Sequence, residues 1–462
     1  MPRAFRPTRP LGALLPAAAL AALLLPAAAM AQAAALPAPS PPWPASWLLG
    51  AQINLIGQRL QPLHSPYAGV NSLRWWGDTE MSQAYGLYFG AALPAGLQAY
   101  LDVEMIRGNG LSNASGLAGI TDGDVLRQGA VNLGKGPYVA RAFLRWTVPL
   151  GGSAGASARD TFARAQDQVA AVEAARRLEI TAGKLAVTDL MDLNRYANNT
   201  RTQFMNWGLF QNTAWDYAAD TRGYSWGVAA AWIEPRWALR AASFQMPTFA
   251  NGNVYDGDVG RARGDQVELT LMPGRAGTVV RVLGYLNHAR MGSYAEAIAA
   301  AQGTGQPPNI VADDRPGRTK YGWGVNFEQP LADSGQTGLF ARWGWSDGRN
   351  EDFVFTEADR HLSAGLQLSG AHWGRSRDVA AVGFVDHGLS PLHREYLALG
   401  GHGFLLGDGK LNYGHERILE AYYRLQLGRF VQVSPDLQQI WNPGYNRDRG
   451  PATVFGLRLN LR

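Results

Sequence analysis

Gly223-Tyr-Ser225-Trp-Gly227 matches Gly-x-Ser-x-Gly, the pattern that lifts a serine nucleophile for acyl hydrolysis. That elbow needs a strand before the serine and a helix after it, whereas here a loop-like stretch precedes Ser225 and an alternating apolar run follows. A hydrolase acting on lipid or ester through Ser225 is therefore kept only as an alternative. His387, His393, His402 and His415 share one stretch, without the His-Glu-x-x-His spacing that sets two imidazoles on one zinc ion. Asp122-Gly-Asp124 and Asp256-Gly-Asp258 are fragments of calcium loops that lack the full ligand count, and simple turns account for them. The chain has no cysteine, which excludes disulfides, thiolate metal sites and cysteine nucleophiles. No enzyme, cofactor or metal centre is expected.

The densest set of binding groups lies at 188–224: Asp189, Asp192, Asn194, Arg195, Asn198, Asn199, Arg201, Gln203, Asn206, Trp207, Asn212, Trp215 and Asp216. Carboxylates, guanidinium forks and amides suit the hydroxyls of a sugar, and indole rings suit its C–H face. The same groups would also serve a loop packed on a wall, satisfying one another, because buried backbone needs many partners. Which reading holds depends on the elements that carry the loop.

From Trp47 onward, apolar residues recur at every second position in segments of 8 to 12, which is strand periodicity. Tyr138, Ala140, Ala142, Leu144, Trp146 and Val148 form one face of a strand at 138–149, opposite Val139, Arg141, Phe143, Arg145 and Thr147. Leu239 opposes Arg240, and Val267 and Leu269 oppose Glu268. Val282 opposes Arg281, Trp343 opposes Arg342, and Leu419 and Leu425 oppose Glu420 and Arg424. In the last strand, Leu457 and Leu459 oppose Arg458.

Sixteen such segments run from 47–58 to 452–462, including 85–93 and 321–329. Their joints alternate between tight turns and long connections. Sorting of that kind marks a transmembrane antiparallel β-barrel, with periplasmic turns at one rim and external loops at the other. The exception is 150–177, long where a turn is due. Phe162 to Arg177 has helix-forming composition, and the segment finds no place in the pattern unless as a short helix on the periplasmic side.

Arginine decides which face is wet. One arginine facing lipid at mid-membrane costs about 2–4 kcal/mol, so Arg141, Arg145, Arg240, Arg281, Arg342, Arg424 and Arg458 together would cost roughly 14–28, beyond the ~5–15 of net stability a protein holds. These seven must face an aqueous interior, either as a mixed-sign track favouring neutral polyhydroxylated solutes or as Arg–acid pairs that stiffen the wall. Tyr138 and Trp146, about 20 Å apart along the membrane normal, fit two aromatic girdles. A barrel this wide leaves a water-filled channel, which loop 188–224 would narrow. A general, non-selective pore and a plugged barrel with a structural role are the competing readings.

The N-terminus reads as an export signal: Arg3, Arg6 and Arg9, an apolar run from Leu11 to Leu25, and Ala29-Met30-Ala31 before the cut. An uncleaved anchor is the alternative, but Gly12, Pro16 and Pro26 interrupt the run. Residues 1–31 take three arginines and no acid, so the formal charge of +5 falls to +2 in the mature chain, and no nucleic-acid partner is implied. A Pro-rich linker follows at 32–46, and the barrel spans 47–462. With 17% charged residues and a mean hydropathy of -0.17, the chain carries apolar surface finely interleaved with polar residues, unlike a membrane helix bundle.

Arg177-Leu-Glu-Ile-Thr-Ala-Gly-Lys184, then Thr188-Asp189, Asp192, Asn194-Arg-Tyr-Ala197, Arg201-Thr-Gln-Phe-Met-Asn-Trp207 and Ala214-Trp-Asp216, resemble the signature of carbohydrate-selective porins of the OprB type. Tyr396-Leu-Ala-Leu-Gly400, Asn442-Pro-Gly444 and Val454-Phe-Gly-Leu-Arg-Leu459 are similar as well. The chain departs from that pattern in ending on Arg462, where an aromatic usually stands, and in lacking a Trp-Gly-Gly-Leu-Arg-like opening near Ser46 to Gly57. The resemblance implies a sixteen-stranded outer-membrane channel passing monosaccharides, polyols and related small solutes without energy input, with Asp189 to Asp216 as the selective part. It further implies surroundings of outer-membrane lipid and lipopolysaccharide, insertion by the barrel assembly machinery, and a monomer or a homotrimer.

Overall fold

The computed structural model describes residues 46–125, 133–151, 158–274, 277–353 and 356–462. The expected signal peptide and all of the linker but Ser46 lie outside the described residues. The chain forms a closed barrel in which every neighbouring strand pair is antiparallel. Its strands in order are β1 (Trp47–Leu60), β2 (Asp78–Ala92), β3 (Leu97–Gly108) and β4 (Tyr138–Pro149), followed outside the barrel by β5 (Arg159–Phe162) and β6 (Ala171–Ala174). The wall resumes with β7 (Arg177–Leu185), β8 (Ser225–Glu234), β9 (Trp237–Gln245), β10 (Arg263–Leu271), β11 (Val279–Met291) and β12 (Arg315–Ala332). It ends with β13 (Thr337–Ser346), β14 (Arg360–Ser369), β15 (Val379–Gly388), β16 (Glu416–Leu427), β17 (Val431–Trp441) and β18 (Ala452–Leu461). β18 closes on β1, pairing Leu55 with Leu459, so no hydrogen-bonding edge faces lipid.

Alternation sorts side chains as the arginine cost requires. Leu144, Trp146, Leu239, Val267, Val282, Trp343 and Leu457 are exposed on the outer surface. Gln266, Glu268, Arg342, Glu420 and Arg458 are buried inside. Phe430, in the turn below β17, and Trp441 at its upper end are both exposed. They stand ~37 Å apart along the strand, or roughly 28 Å along the normal at a tilt of about 40°, close to the height of the apolar band.

The structure corrects three expectations. The first concerns Tyr138. Pairing of β4 with β3 slips between Arg141, opposite Asp102, and Val139, opposite Val103, leaving Ala140 as an extra residue. Such a bulge reverses the faces above it: Val139 points outward at 43% exposure, Ala140 is buried, and the Tyr138 ring lies 6.4 Å from that of Tyr224 inside. Tyr138 is therefore no girdle residue. The second concerns length. β2 starts at Asp78 and β12 at Arg315, well before 85 and 321, because their ladders rise above the apolar band, where both faces are polar and alternation disappears.

The third concerns 150–177. In place of a helix, β5 and β6 pair antiparallel, Arg159 with Ala174 and Phe162 with Ala171. Helix-forming composition is a weak prior beside the tertiary contacts this segment makes.

Candidate functional site

The external connection 186–224, between β7 and β8, turns into the lumen. Met191, Tyr196, Ala197, Phe204, Met205 and Leu209 are fully buried. Its back is fastened to the wall by groups from five strands. The buried Arg342 guanidinium pairs with Asp192 at 3.0 Å and donates to the carbonyls of Leu209 and Ala197 at 2.9 and 2.7 Å. Asn194 Nδ2 donates to Asn326 Oδ1, and the Arg195 backbone N–H donates to Glu328 at 2.7 Å. The backbone N–H groups of Met205 and Asn206 donate to the two oxygens of Glu420, at 2.6 and 3.0 Å. Glu268 accepts from the Asp192 N–H at 2.6 Å. Arg458 donates to the carbonyls of Thr200 and Gln203, and Arg424 to that of Thr202. Asp216 lies 3.2 Å from Lys320 Nζ, and Trp215 is buried against Tyr217. Glycines let the loop lie this close: a Cβ at Gly344 would stand 2.0 Å from Asn212 Oδ1.

A second external connection also turns inward over 109–125, with Leu117, Ala118 and Ile120 buried. Asn206 Nδ2 donates to the Gly119 carbonyl, joining the two loops, while Asn206 Oδ1 accepts from the Gly208 N–H and starts the turn at Trp207–Phe210. Gln58 and Gln438 both donate to the Thr121 carbonyl.

The front of the two loops, β3 and β4 bound an opening of about 480 Å³, within the roughly 300–1,000 Å³ of small-molecule sites. On one side, Arg141 grips Asp189 with two hydrogen bonds, at 2.7 and 2.8 Å, and lies 3.4 Å from Asp102 and 3.3 Å from Asp167. On the other, Arg201 pairs with Asp124 at 2.9 Å and Glu104 at 3.0 Å. Tyr224 joins the halves, its ring 5.1 Å from the Arg141 guanidinium and its hydroxyl donating to Glu104 at 2.5 Å. Four arginines, at 141, 145, 201 and 222, and four carboxylates, at 104, 124, 167 and 189, line the opening, so its formal charge is zero. Phe143, Trp207, Phe210, Tyr217 and Tyr224 supply rings.

Of the expected site residues, Arg141, Arg145, Asp189, Arg201 and Trp207 meet at this opening. Asp192, Asn194, Asn206, Arg342, Glu420, Arg424 and Arg458 hold the loop from behind, as do Glu268 and the backbone of Arg195. Trp215 and Asp216 lie deeper among the external loops. Arg240 lies 3.8 Å from Glu268, and Arg281 3.4 Å from Glu328, both pairs on the wall. Glu104, Asp124, Asp167 and Tyr224 were missed. Glu104 had a signal, since Gln98, Tyr100, Asp102 and Glu104 alternate on one face. In sequence Asp124 reads as part of a turn, and Asp122 does accept from the Asp124 N–H, while Asp124 itself reaches Arg201.

The remaining motifs take structural places. Ser225 opens β8, and its buried hydroxyl donates to the Gln245 carbonyl at 2.5 Å. Asp352, Asp359 and His393 form the one grouping of three ligand-type side chains among the described residues. It already receives the Lys320 ammonium, paired with Asp352. Burial pulls the His393 imidazole down, but its bond to Asp359, at 3.2 Å, and the charges of Asp359 and Asp352 outweigh this and leave it above its ordinary value. Burial likewise pushes Asp359 up, and His393 reverses the balance and holds it well below the usual carboxylate range. Asp352 is pushed up by burial to about 7 against the pull of Lys320.

A closed sixteen-stranded barrel, apolar outside and polar within, narrowed by loops that fold inward, is the architecture of outer-membrane porins. The model of the carbohydrate-selective porin family, OprB, matches residues 84–462, and the chain belongs to that family. Among solved structures, the high-pH structure of Pseudomonas putida OprB is similar over 90% of this chain and 94% of that one, at 16% identity and a TM-score of 0.65. The low-pH structure of the same protein covers 90% and 92%, at 13% identity and a TM-score of 0.45. OmpT of Vibrio cholerae covers 90% and 99%, at 11% identity and a TM-score of 0.44. At these identities the likeness concerns the fold, and the first structure carries it. No curated protein matches the chain in sequence. The protein is thus a passive, carbohydrate-selective channel of the outer membrane.

Proposed function

We propose that the opening between Arg141 and Arg201 is the constriction of this channel, and that it passes neutral solutes of monosaccharide size, including small polyols. The observation that carries the reading is the pairing of charge: four guanidinium groups and four carboxylates face one opening of about 480 Å³, interleaved with five aromatic rings. A lining of zero net charge gives no advantage to ions of either sign, unlike the single-sign rings of ion-selective pores. Paired guanidinium and carboxylate groups offer fixed donors and acceptors to hydroxyls, and the rings offer faces to C–H groups. On the same reading, residues 1–31 are removed on export and the barrel assembly machinery inserts the barrel. The belt then sits among lipid and lipopolysaccharide, and each barrel, monomeric or within a trimer, carries its own path.

Liposomes holding the purified protein are expected to swell in glucose or a small polyol well above protein-free liposomes, and much more slowly in a disaccharide. Swelling equal to that of protein-free liposomes refutes the constriction as a sugar path. Rates that depend on solute size alone, with ions passing as freely as sugars of equal radius, favour a general pore.

A further inference from the structure

The connection between β4 and β7 enters the barrel from below. At its root, Arg177 pairs with Asp160 at 2.7 Å and Glu179 at 2.6 Å and stacks over the Phe162 ring at 5.2 Å. Higher up, Gln98 donates to Glu173. At the tip, Val169 is fully buried, with its N–H donating to the Tyr100 hydroxyl at 3.2 Å, and Gln166 donates to Asp102 at 3.0 Å. Arg145 lies over the Tyr100 ring and donates to the Asp167 carbonyl. Asp167 reaches Arg141, which the constriction loop grips from above through Asp189.

Arg141 stands eight residues up β4 from Pro149, which is ~27 Å along the strand or about 20 Å along the normal. The hairpin therefore climbs most of the membrane's thickness inside the lumen. We propose that the hairpin Arg159–Ala174 is a fixed inner wall of the constriction, inserted from the periplasmic side, and that it sets the largest solute the channel admits. This rests on the reading of the opening as the sugar path. Gln166, Asp167 and Gln168 face that opening. Arg141 holds the Asp167 carboxylate beside that opening at 3.3 Å. Selection is thus divided: the loop from above supplies Asp189 and Arg201, and the hairpin from below narrows the space they face.

The Leu150 N–H donates to the Arg176 carbonyl at 2.9 Å, so replacing residues 151–175 by Asn-Gly closes the ladder with a two-residue turn. A second variant, Val169→Asp, keeps the chain length and unseats the tip by placing a carboxylate against Tyr100. Heat-shifted gel migration identifies folded barrels. In folded protein, both changes are expected to raise the disaccharide-to-glucose swelling ratio at least threefold and to increase single-channel conductance. Wild-type glucose permeation with an unchanged ratio in the folded variants overturns the role of the hairpin and leaves the channel reading standing. A wild-type barrel impermeable to glucose overturns both.

Discussion

Arg342→Met tests whether the constriction is held in place by its buried back rather than by its exposed front. Arg342 is about 1% exposed and makes four contacts to the loop: the Asp192 carboxylate, the Asp192 carbonyl at 3.1 Å, and the carbonyls of Leu209 and Ala197. Methionine fills most of the volume and supplies no donor. Removing one partner of a buried ion pair costs about 3–5 kcal/mol, mostly because the other charge stays buried and unpaired. At about 1.4 kcal/mol per tenfold, the docked segment would open between roughly 10² and 10⁴ times more often. Glu420, Asn326 and Arg458 still hold Met205, Asn194 and Thr200, so the loop loosens around Ala197 and Leu209 without leaving the lumen. Planar-bilayer recordings should show higher mean conductance with added open-state noise, while glucose swelling loses its advantage over a disaccharide. Adding Asp192→Asn should recover part of the loss, because the unpaired charge is gone and the amide still has Asn326 beside it. Conductance, noise and sugar selectivity that superimpose on wild type would refute the reasoning and return selectivity to the wall alone.

Two further outcomes follow from the same geometry. Asp189→Asn leaves four arginines facing three carboxylates, so the reversal potential in a salt gradient should move toward that of the anion; no movement would mean that the paired charges do not face the permeating path. The Asp359–His393 contact should tie loop 347–359 to the segment 391–398 most firmly in mildly acid conditions. Asp359 is held below its ordinary value, so its contribution is present above the unfolded value near 3.9 and lost as pH falls through the folded one. His393 is raised, so its contribution is full below about 6.5 and lost as pH rises through the folded value, and Asp352, raised to about 7, acts in the same direction. Protease nicking within 389–415 should therefore increase between pH 5.5 and 9 in the wild type. It should increase less steeply in His393→Gln, where Asp352 alone still titrates in this range, and identical profiles would dispose of the linkage.

The wall was legible because lipid penalises charge so heavily. Arg240, Arg281, Arg342, Arg424 and Arg458 each lie one position from a lipid-facing residue, and period two then orients everything else on the strand. That logic failed at Tyr138, since a single extra residue, Ala140, reverses the faces and nothing in the local composition announces it. It failed again at 150–177, where alternation is short and the contacts that hold the tip between β5 and β6 come from Tyr100 and Asp102 on β3 and Arg141 on β4. The inward fold of 109–125 had only its small and polar residues as a signal, which any exposed loop shares.

Residue order alone indicated the strand count and the closure into a barrel, through period-two alternation and the sorting of tight and long joints, and it indicated the wet side of each strand through a penalty acting on each residue separately. It also identified 188–224 as the segment richest in binding groups. Only the tertiary structure divided that segment into a front, where Asp189 and Arg201 face the opening, and a back, where Asp192, Asn206 and the carbonyls of Thr200 and Gln203 are spent on the wall. That division depends on which of two faces of an irregular loop meets Arg342, Glu420 and Arg458, and such long-range pairings carry no period that a linear sequence could display.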